Sequence, residues 1–193
     1  MTTRTIKIGI CGLGTVGEGV IALLSEGAEV LNNRVGGTIE LVHVATRTPK
    51  PEVDTLGAKD SRDVFEVARD PSVEVLIELI GGTTVAKHLV AEALNQGKHV
   101  VTANKALIAE HGNELIAMAE SAGVQIRFEA AVAGGIPIIK ALREAVAANQ
   151  VSEVAGIING TGNFILTEMS SKGRAFDDVL SEAQTLGYAE ADP

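Results

Sequence analysis

The stretch Gly9-Ile10-Cys11-Gly12-Leu13-Gly14-Thr15-Val16-Gly17 follows Ile6, Lys7 and Ile8 and precedes Val16-spaced apolar positions at Val20, Ile21, Leu23 and Leu24. The β-branched run before the glycines reads as a strand, and the apolar period after them reads as a helix. A GxGxxG turn between those two elements predicts a dinucleotide site. Gly12 makes the tight turn, Gly14 lets backbone approach a pyrophosphate, and Gly17 allows the helix to pack closely on the strand. Leu13, Thr15 and Val16 complete the loop. The phosphates then face the helix N-terminus, where unpaired N–H groups and the helix dipole favour negative charge.

Working outward, strands and helices alternate. After a connection over 29–37, a second strand is predicted over 39–45, and its end carries Thr46-Arg47-Thr48 with Lys50 close by. In dinucleotide folds a carboxylate past this strand reads a ribose 2′-hydroxyl and an arginine accommodates a 2′-phosphate. No carboxylate occurs here before Glu52. Arg47 therefore leans the cofactor towards NADP, with NAD still possible and a solvated loop cation as the alternative role. Residues 48–60 read as loop, and Ser61 is expected to cap a short helix ending near Ala68. Strands follow over 73–80, 98–101 and 124–129, separated by helices over 84–96 and 106–121. This spacing predicts an α/β, Rossmann-type doubly wound parallel sheet, closing near residue 130.

Composition supports that class and excludes others. The chain has 193 residues, 46% of them hydrophobic, with 16 basic against 25 acidic side chains. A net charge of -9 without clustered Lys and Arg argues against nucleic acid as a partner. The longest apolar runs are too short to span a membrane, and no basic segment leads into an apolar signal at the start; a cytoplasmic protein is expected. Cys11 is the single cysteine, which rules out an internal disulfide and suggests a small buried apolar side chain. The four histidines are scattered and read as structural.

Beyond residue 130 the small, flexible run Ala130-Ala131-Val132-Ala133-Gly134-Gly135-Ile136-Pro137 suits a crossing into a second domain, 131–193, of α+β type. Pro137 opens a helix over 138–148. A strand is predicted over 151–158, a turn over 159–163, and helices over 164–171 and 175–186.

Four blocks in this order resemble homoserine dehydrogenase: Val100-Val101-Thr102-Ala103-Asn104-Lys105-Ala106-Leu107, Glu129 to Pro137, Gly156 to Leu166, and Gly187-Tyr188-Ala189-Glu190-Ala191-Asp192-Pro193. The resemblance implies reversible NAD(P)H-dependent reduction of aspartate 4-semialdehyde to homoserine, a step towards threonine, methionine and isoleucine. It implies nicotinamide-side contacts at Thr102 and Lys105 and a further cofactor contact at Gly187. Glu190 corresponds to the carboxylate that holds the substrate, pairing with its ammonium group. Glu129, Val132, Gly134 and Ile136 correspond to a loop binding a monovalent cation such as Na+, largely through carbonyls. The family also implies a homodimer or higher homo-oligomer.

Read without the family, Lys105 is equally an exposed first-turn lysine. Glu190 and Asp192 are then solvated loop acids, and the Gly134-Gly135 loop is a hinge. With it, Lys105 donates a hydrogen bond to the aldehyde oxygen as hydride arrives, stabilising the developing charge. Two positions depart from the common family pattern: Gly162 stands where threonine is usual, and Phe164 where tyrosine is usual. The family chain also continues past this Asp-Pro to a further substrate-binding aspartate and the lysine usually assigned as proton donor. The expectation is a complete cofactor domain joined to an incomplete substrate and dimerisation domain. Such a chain binds cofactor but turns over poorly, and its unpaired strand edges favour association. A cofactor-binding module without catalysis is the alternative.

Overall fold

The computed structural model describes residues 4–189. Six strands form one parallel sheet in the order β3-β2-β1-β4-β5-β6. They are β1 (Arg4–Cys11), β2 (Gly37–Ala45), β3 (Lys59–Ser61), β4 (Val75–Glu78), β5 (His99–Thr102) and β6 (Ile126–Arg127). The order reverses between β1 and β4, which is where ligands collect in open α/β sheets. Helices α1 (Thr15–Glu26), α2 (Ala28–Val35), α3 (Val64–Arg69), α4 (Thr84–Asn95) and α5 (Lys105–Ser121) connect the strands.

Side chains alternate across each strand, so Ile10 and Cys11 enter different cores. Ile8, Ile10, Leu41 and Val44 pack with Ile21 of α1 on one face. Cys11, Leu76 and Val100 pack on the other with Val67 of α3, Leu89 and Val90 of α4, and Leu107 and Leu115 of α5. Cys11 is fully buried, as expected, and its thiol donates weakly to the Val64 carbonyl at 3.7 Å. Burial, with the nearby Glu78 and Asp63 charges, pushes that thiol far above its ordinary range.

Several elements differ from the sequence reading. Residues 28–35 are helix rather than connection: Gly36, at φ 65, is the left-handed C-cap of α2 and not part of an open turn. The loop over 48–60 runs into the edge strand β3. Asp63, not Ser61, caps α3, its side chain accepting from Phe65 N at 2.9 Å. Ser61 instead braces Asp63, donating to its carbonyl and accepting from its N–H. Strand β6 keeps two residues and gives way to a 3-10 turn over Glu129–Ala131. The helix expected over 138–148 is α6 (Ile138–Lys140) followed by a π-helical turn over Ala141–Ala145.

The chain divides into two compact units, residues 1–145 and 146–193. This division lies beyond residue 130 because the Glu129 carboxylate accepts from Ile139 N and Lys140 N, each at 2.9 Å, tying the start of α6 to the end of the sheet. In the second unit α7 (Gly160–Lys172) and α8 (Phe176–Thr185) pack around Ile165, Val179 and Ala183. Asn159 caps α7 by accepting from Gly162 N at 2.7 Å. Arg174 joins Glu168 and Glu182. The strand expected over 151–158 is not formed. A strand needs a neighbour to pair its N–H and C=O groups, and no described segment supplies one; Ile158 is 98% exposed.

Where α3 meets β4, His43, Asp70, Ser72 and Lys98 form a polar knot. His43, fully buried, donates from Nδ1 to Asp70 Oδ2 at 2.7 Å. Ser72 donates to Asp70 Oδ1 from both its N–H and its hydroxyl, at 2.8 and 2.6 Å. Burial raises the Asp70 carboxyl, but the Ser72 and His43 hydrogen bonds outweigh it and hold the group at about 2. A depressed carboxyl stabilises the fold above its unfolded value of 3.8 and loses that contribution as pH falls through the folded one. Denaturant titrations at pH 6 and near pH 2 are therefore expected to show about 1–2 kcal/mol of acid-labile stability. In Asp70→Asn that increment is absent, so the two proteins converge at low pH.

Candidate functional site

The carboxyl ends of β1, β2, β4 and β5 bring together most of the candidate residues. At the end of β1 the chain turns sharply through Gly12, at φ 103, a conformation L side chains rarely adopt. Gly12 N donates to Ala45 O at 2.8 Å, and Leu79 N donates to Cys11 O at 2.8 Å, so the turn is stitched to both neighbouring strands. A Cβ on Gly12 would stand 2.5 Å from Leu79 O. On Gly17 it would stand 2.2 Å from Gly12 O, so the third glycine lets the helix close on the turn's own carbonyl. Gly14 is different, with nothing within 4 Å of its Cβ position.

Gly14 is also the N-cap of α1, extended at φ -82 and ψ -168, and no side chain caps the helix. The first N–H groups of a helix lack internal partners. Here no side chain caps them, and the space at the Gly14 Cβ position is open. The arrangement fits a dinucleotide pyrophosphate.

Beside this turn, Val16, Leu79, Gly81, Ala103, Asn104, Lys105 and Ala106 line a cleft of about 290 Å³. It brings Val16 of the glycine turn together with Lys105, the exposed first residue of α5. Thr102 is placed differently from the sequence expectation. It has no exposed surface, and its hydroxyl is engaged with Glu78 rather than free for a cofactor. Its place is beneath the cleft wall.

At the end of β2, Arg47 is exposed and has no ion-pair partner among the described residues. Lys50 pairs with Glu18 of α1 at 3.0 Å and Glu52 at 3.7 Å; the hydrogen bond with Glu18 raises it above the usual lysine value. Arg62, which the sequence reading passed over, donates to Thr46 O at 3.2 Å and grips Asp60 at 2.9 and 2.6 Å. Two cations at this edge are thus partnered, and Arg47 is the one left to meet an added anion.

In the 129–136 loop, Ala133 and Gly134 adopt φ 56 and 59. The carbonyls of Glu129 and Ile136 each accept one backbone bond, from Val132 N and Ile138 N. A carbonyl has two lone pairs, so accepting capacity remains on Glu129, Val132, Gly134 and Ile136. The Glu129 side chain is spent on capping α6. Among the described residues no group of three His, Cys, Asp or Glu side chains converges as a metal site.

Gly187, at φ 74, follows α8 in the second unit, where Tyr188 stacks edge-on against Phe164 with ring centroids 5.3 Å apart. The Phe164 ring therefore packs without needing a hydroxyl. Gly162 would bring an added Cβ to 3.4 Å from the Asn159 side chain, a tight but ordinary contact. Glu190 lies outside the described residues. No helix of the described residues is long and apolar enough to cross a membrane.

The residue most plainly missed from sequence is Glu78, an acid at the end of the apolar strand β4 and fully buried. The available signal was that position itself, because acids are rarely buried without partners.

Comparison with known proteins agrees with this geometry. A family model described as homoserine dehydrogenase, NAD binding domain, matches residues 12–129, and one described as homoserine dehydrogenase matches 137–193. The homoserine dehydrogenase of Pseudomonas aeruginosa is 58% identical over 190 residues, covering 98% of this chain and 44% of that protein. That of Bacillus subtilis is 45% identical, with 98% and 44% covered. The crystal structure of the Thiobacillus denitrificans enzyme superposes with a TM-score of 0.89 at 53% identity, covering 99% of this chain and 44% of the other. A hyperthermophilic archaeal homoserine dehydrogenase in complex with NADPH superposes at 0.81 with 27% identity, over 98% of this chain and 64% of the other. The chain thus spans under half the length of the bacterial relatives it matches.

Proposed function

Because this chain belongs to the homoserine dehydrogenase family, we propose that it is the cofactor-binding part of an enzyme interconverting aspartate 4-semialdehyde and homoserine. The observation that carries the reading is the uncapped, unobstructed α1 N-terminus at Gly14 opening beside the cleft that Lys105 lines. A bound nicotinamide cofactor supplies the hydride; the protein binds, orients and sets the electrostatics.

In this proposal the turn from Gly12 to Gly17 holds the pyrophosphate: Gly12 shapes it, and the N–H groups of Leu13, Gly14, Thr15, Val16 and Gly17 face the phosphates. The Lys105 ammonium donates a hydrogen bond to the carbonyl oxygen, where negative charge develops. Glu190 pairs with the substrate ammonium, and Gly187 adds a backbone contact to the cofactor. Thr102 acts through the residues it holds. A monovalent cation takes the carbonyls of the 129–136 loop, with a structural role. The proposed setting is a cytoplasmic homodimer acting on a small amino-acid substrate, supported by the bacterial biosynthetic relatives.

NADPH fluorescence titrated with the 193-residue chain tests cofactor binding, and homoserine-dependent reduction of NADP by the natural gene product tests the reaction. Saturable binding together with reduction is expected. Binding without reduction leaves a cofactor module, and no binding at millimolar NADPH overturns the reading.

NADP preference is assigned to Arg47, supported by its lack of an internal ion pair. Arg47→Ala is expected to weaken NADPH by about tenfold, the worth of one charge-assisted contact, while NADH changes by less than about twofold. Equal losses for the two cofactors would remove the assignment.

A further inference from the structure

Among the described residues, Glu78 is the one acid whose side chain is fully buried, and it stands at the switch point of the sheet. Its Oε1 accepts from Ile80 N at 2.9 Å, and its Oε2 accepts from the Thr102 hydroxyl at 2.5 Å. The Thr102 oxygen accepts in turn from Asn104 N at 3.0 Å. Asn104 divides its amide between the two walls of the cleft. Its oxygen accepts from Leu107 N at 3.0 Å, capping α5, and its Nδ2 donates to Gly82 O at 2.6 Å. One carboxylate thereby joins the turn after β4, which carries Gly81 and Gly82, to the first turn of α5, which carries Lys105.

The chemistry of the group is specific. A carboxylate only accepts, so both oxygens receive donors at once; a carboxamide keeps one accepting oxygen for Ile80 N and presents an NH2 to Thr102, whose hydroxyl proton loses its buried acceptor. Burying an acid also costs free energy that a leucine at the end of an apolar strand would not. The expense is not explained by sheet packing, since Leu76 and Val100 build the same region from hydrocarbon alone.

We propose that Glu78 is a positioning residue, which through Thr102 and Asn104 holds the Gly81-Gly82 turn and Lys105 in the geometry that receives the nicotinamide end of the dinucleotide. The inference rests on the cofactor reading above and extends it to a residue that touches neither cofactor nor substrate. It separates the two ends of the ligand: the glycine turn and Arg47 serve the phosphates and adenylate, and the Glu78 chain serves the nicotinamide end.

The test titrates NADPH and 2′,5′-ADP, which lacks the nicotinamide half, into the 193-residue chain and its variants Glu78→Gln, Thr102→Val and Thr102→Ser. For Glu78→Gln and Thr102→Val, NADPH binding is expected to weaken about tenfold, with 2′,5′-ADP held within about twofold. Thr102→Ser, which keeps the hydroxyl, retains NADPH binding. Retained 2′,5′-ADP binding also reports that each variant is folded, and Thr102→Val carries the test if Glu78→Gln fails to fold. Parallel loss of both ligands in Thr102→Val, or unchanged NADPH binding in both variants, overturns the proposal. If the unmodified chain binds neither ligand, it is the cofactor reading that fails.

Discussion

Gly14→Val and Gly17→Ala are expected to fail in opposite ways, although they alter the same turn. Gly17→Ala puts a methyl 2.2 Å from Gly12 O, a backbone atom held in place by the Gly12 N to Ala45 O bond. Neither side can yield cheaply, so the cost lies at the upper end of overpacking, about 3 kcal/mol. For a chain of this size that is a fall in melting temperature of about 6–12 °C. The Cβ of Gly14→Val meets no atom within 4 Å, so only the poorer N-cap costs stability, and the melting temperature is expected to fall by no more than about 4 °C. Its side chain instead occupies the approach to the α1 N–H groups, and NADPH affinity is expected to fall by at least about a hundredfold, the scale of several phosphate contacts. Thermal scans and NADPH titrations on both proteins make the comparison. A Gly14→Val chain that still binds NADPH normally would show that the pyrophosphate does not sit at this turn.

Lys98→Met is expected to be the most damaging change away from the site. Its ammonium is buried against the Asp70 and Val73 carbonyls, to which it donates at 2.6 and 2.8 Å. Burial lowers the amine from its ordinary value, and the neighbouring Asp70 charge partly offsets that. Methionine keeps the hydrocarbon length but leaves the buried Val73 carbonyl without its donor, while the Asp70 carbonyl keeps only the Val73 N–H at 3.1 Å. The abandoned Val73 acceptor costs about 1–3 kcal/mol and the lost bond to Asp70 O about 1 kcal/mol more, partly repaid by no longer burying a charge. A net loss of about 1–3 kcal/mol in denaturant titrations follows. Lys98→Arg is a poorer substitute than charge suggests, because the planar guanidinium cannot aim two donors from so compact a point. A Lys98→Met protein as stable as the parent would mean that the turn over 70–73 holds itself.

The acid-labile increment at Asp70 belongs to the same knot, so Lys98→Met and Asp70→Asn are expected to be non-additive. Both lie away from the glycine turn, which makes them controls: they lower stability without touching cofactor affinity in the folded protein.

Much of the backbone of the candidate site was legible in the sequence. Gly12, Gly14 and Gly17 each play a distinct part because the requirement at each is local. One needs a positive φ, one an empty front and one a missing Cβ, and glycine at the right spacing states all three. The alternation of apolar runs, with periods of two and 3.6, likewise placed β1, β2, β4, β5, α1, α4 and α5 close to their observed bounds. The resemblance carried by the later blocks named the family that the comparisons support.

What only the tertiary structure decided depends on residues far apart in the chain. Asn32-Asn33 and Gly36-Gly37 look like turn chemistry, yet residues 28–35 are helix, with Asn32 accepting from Ile39 N at 3.0 Å and Gly36 closing the end. The apolar residues 151–158 have strand composition, but a strand exists only where another strand satisfies its backbone. Nothing near Thr102 in the sequence shows that its hydroxyl is buried on a carboxylate, because the partner Glu78 lies 24 residues away. Sequence by itself determined where the backbone turns and which faces are apolar, since those properties reside in single residues and their spacing. The fold decided which polar groups meet, because a buried carboxylate is tolerable only where distant donors converge on it.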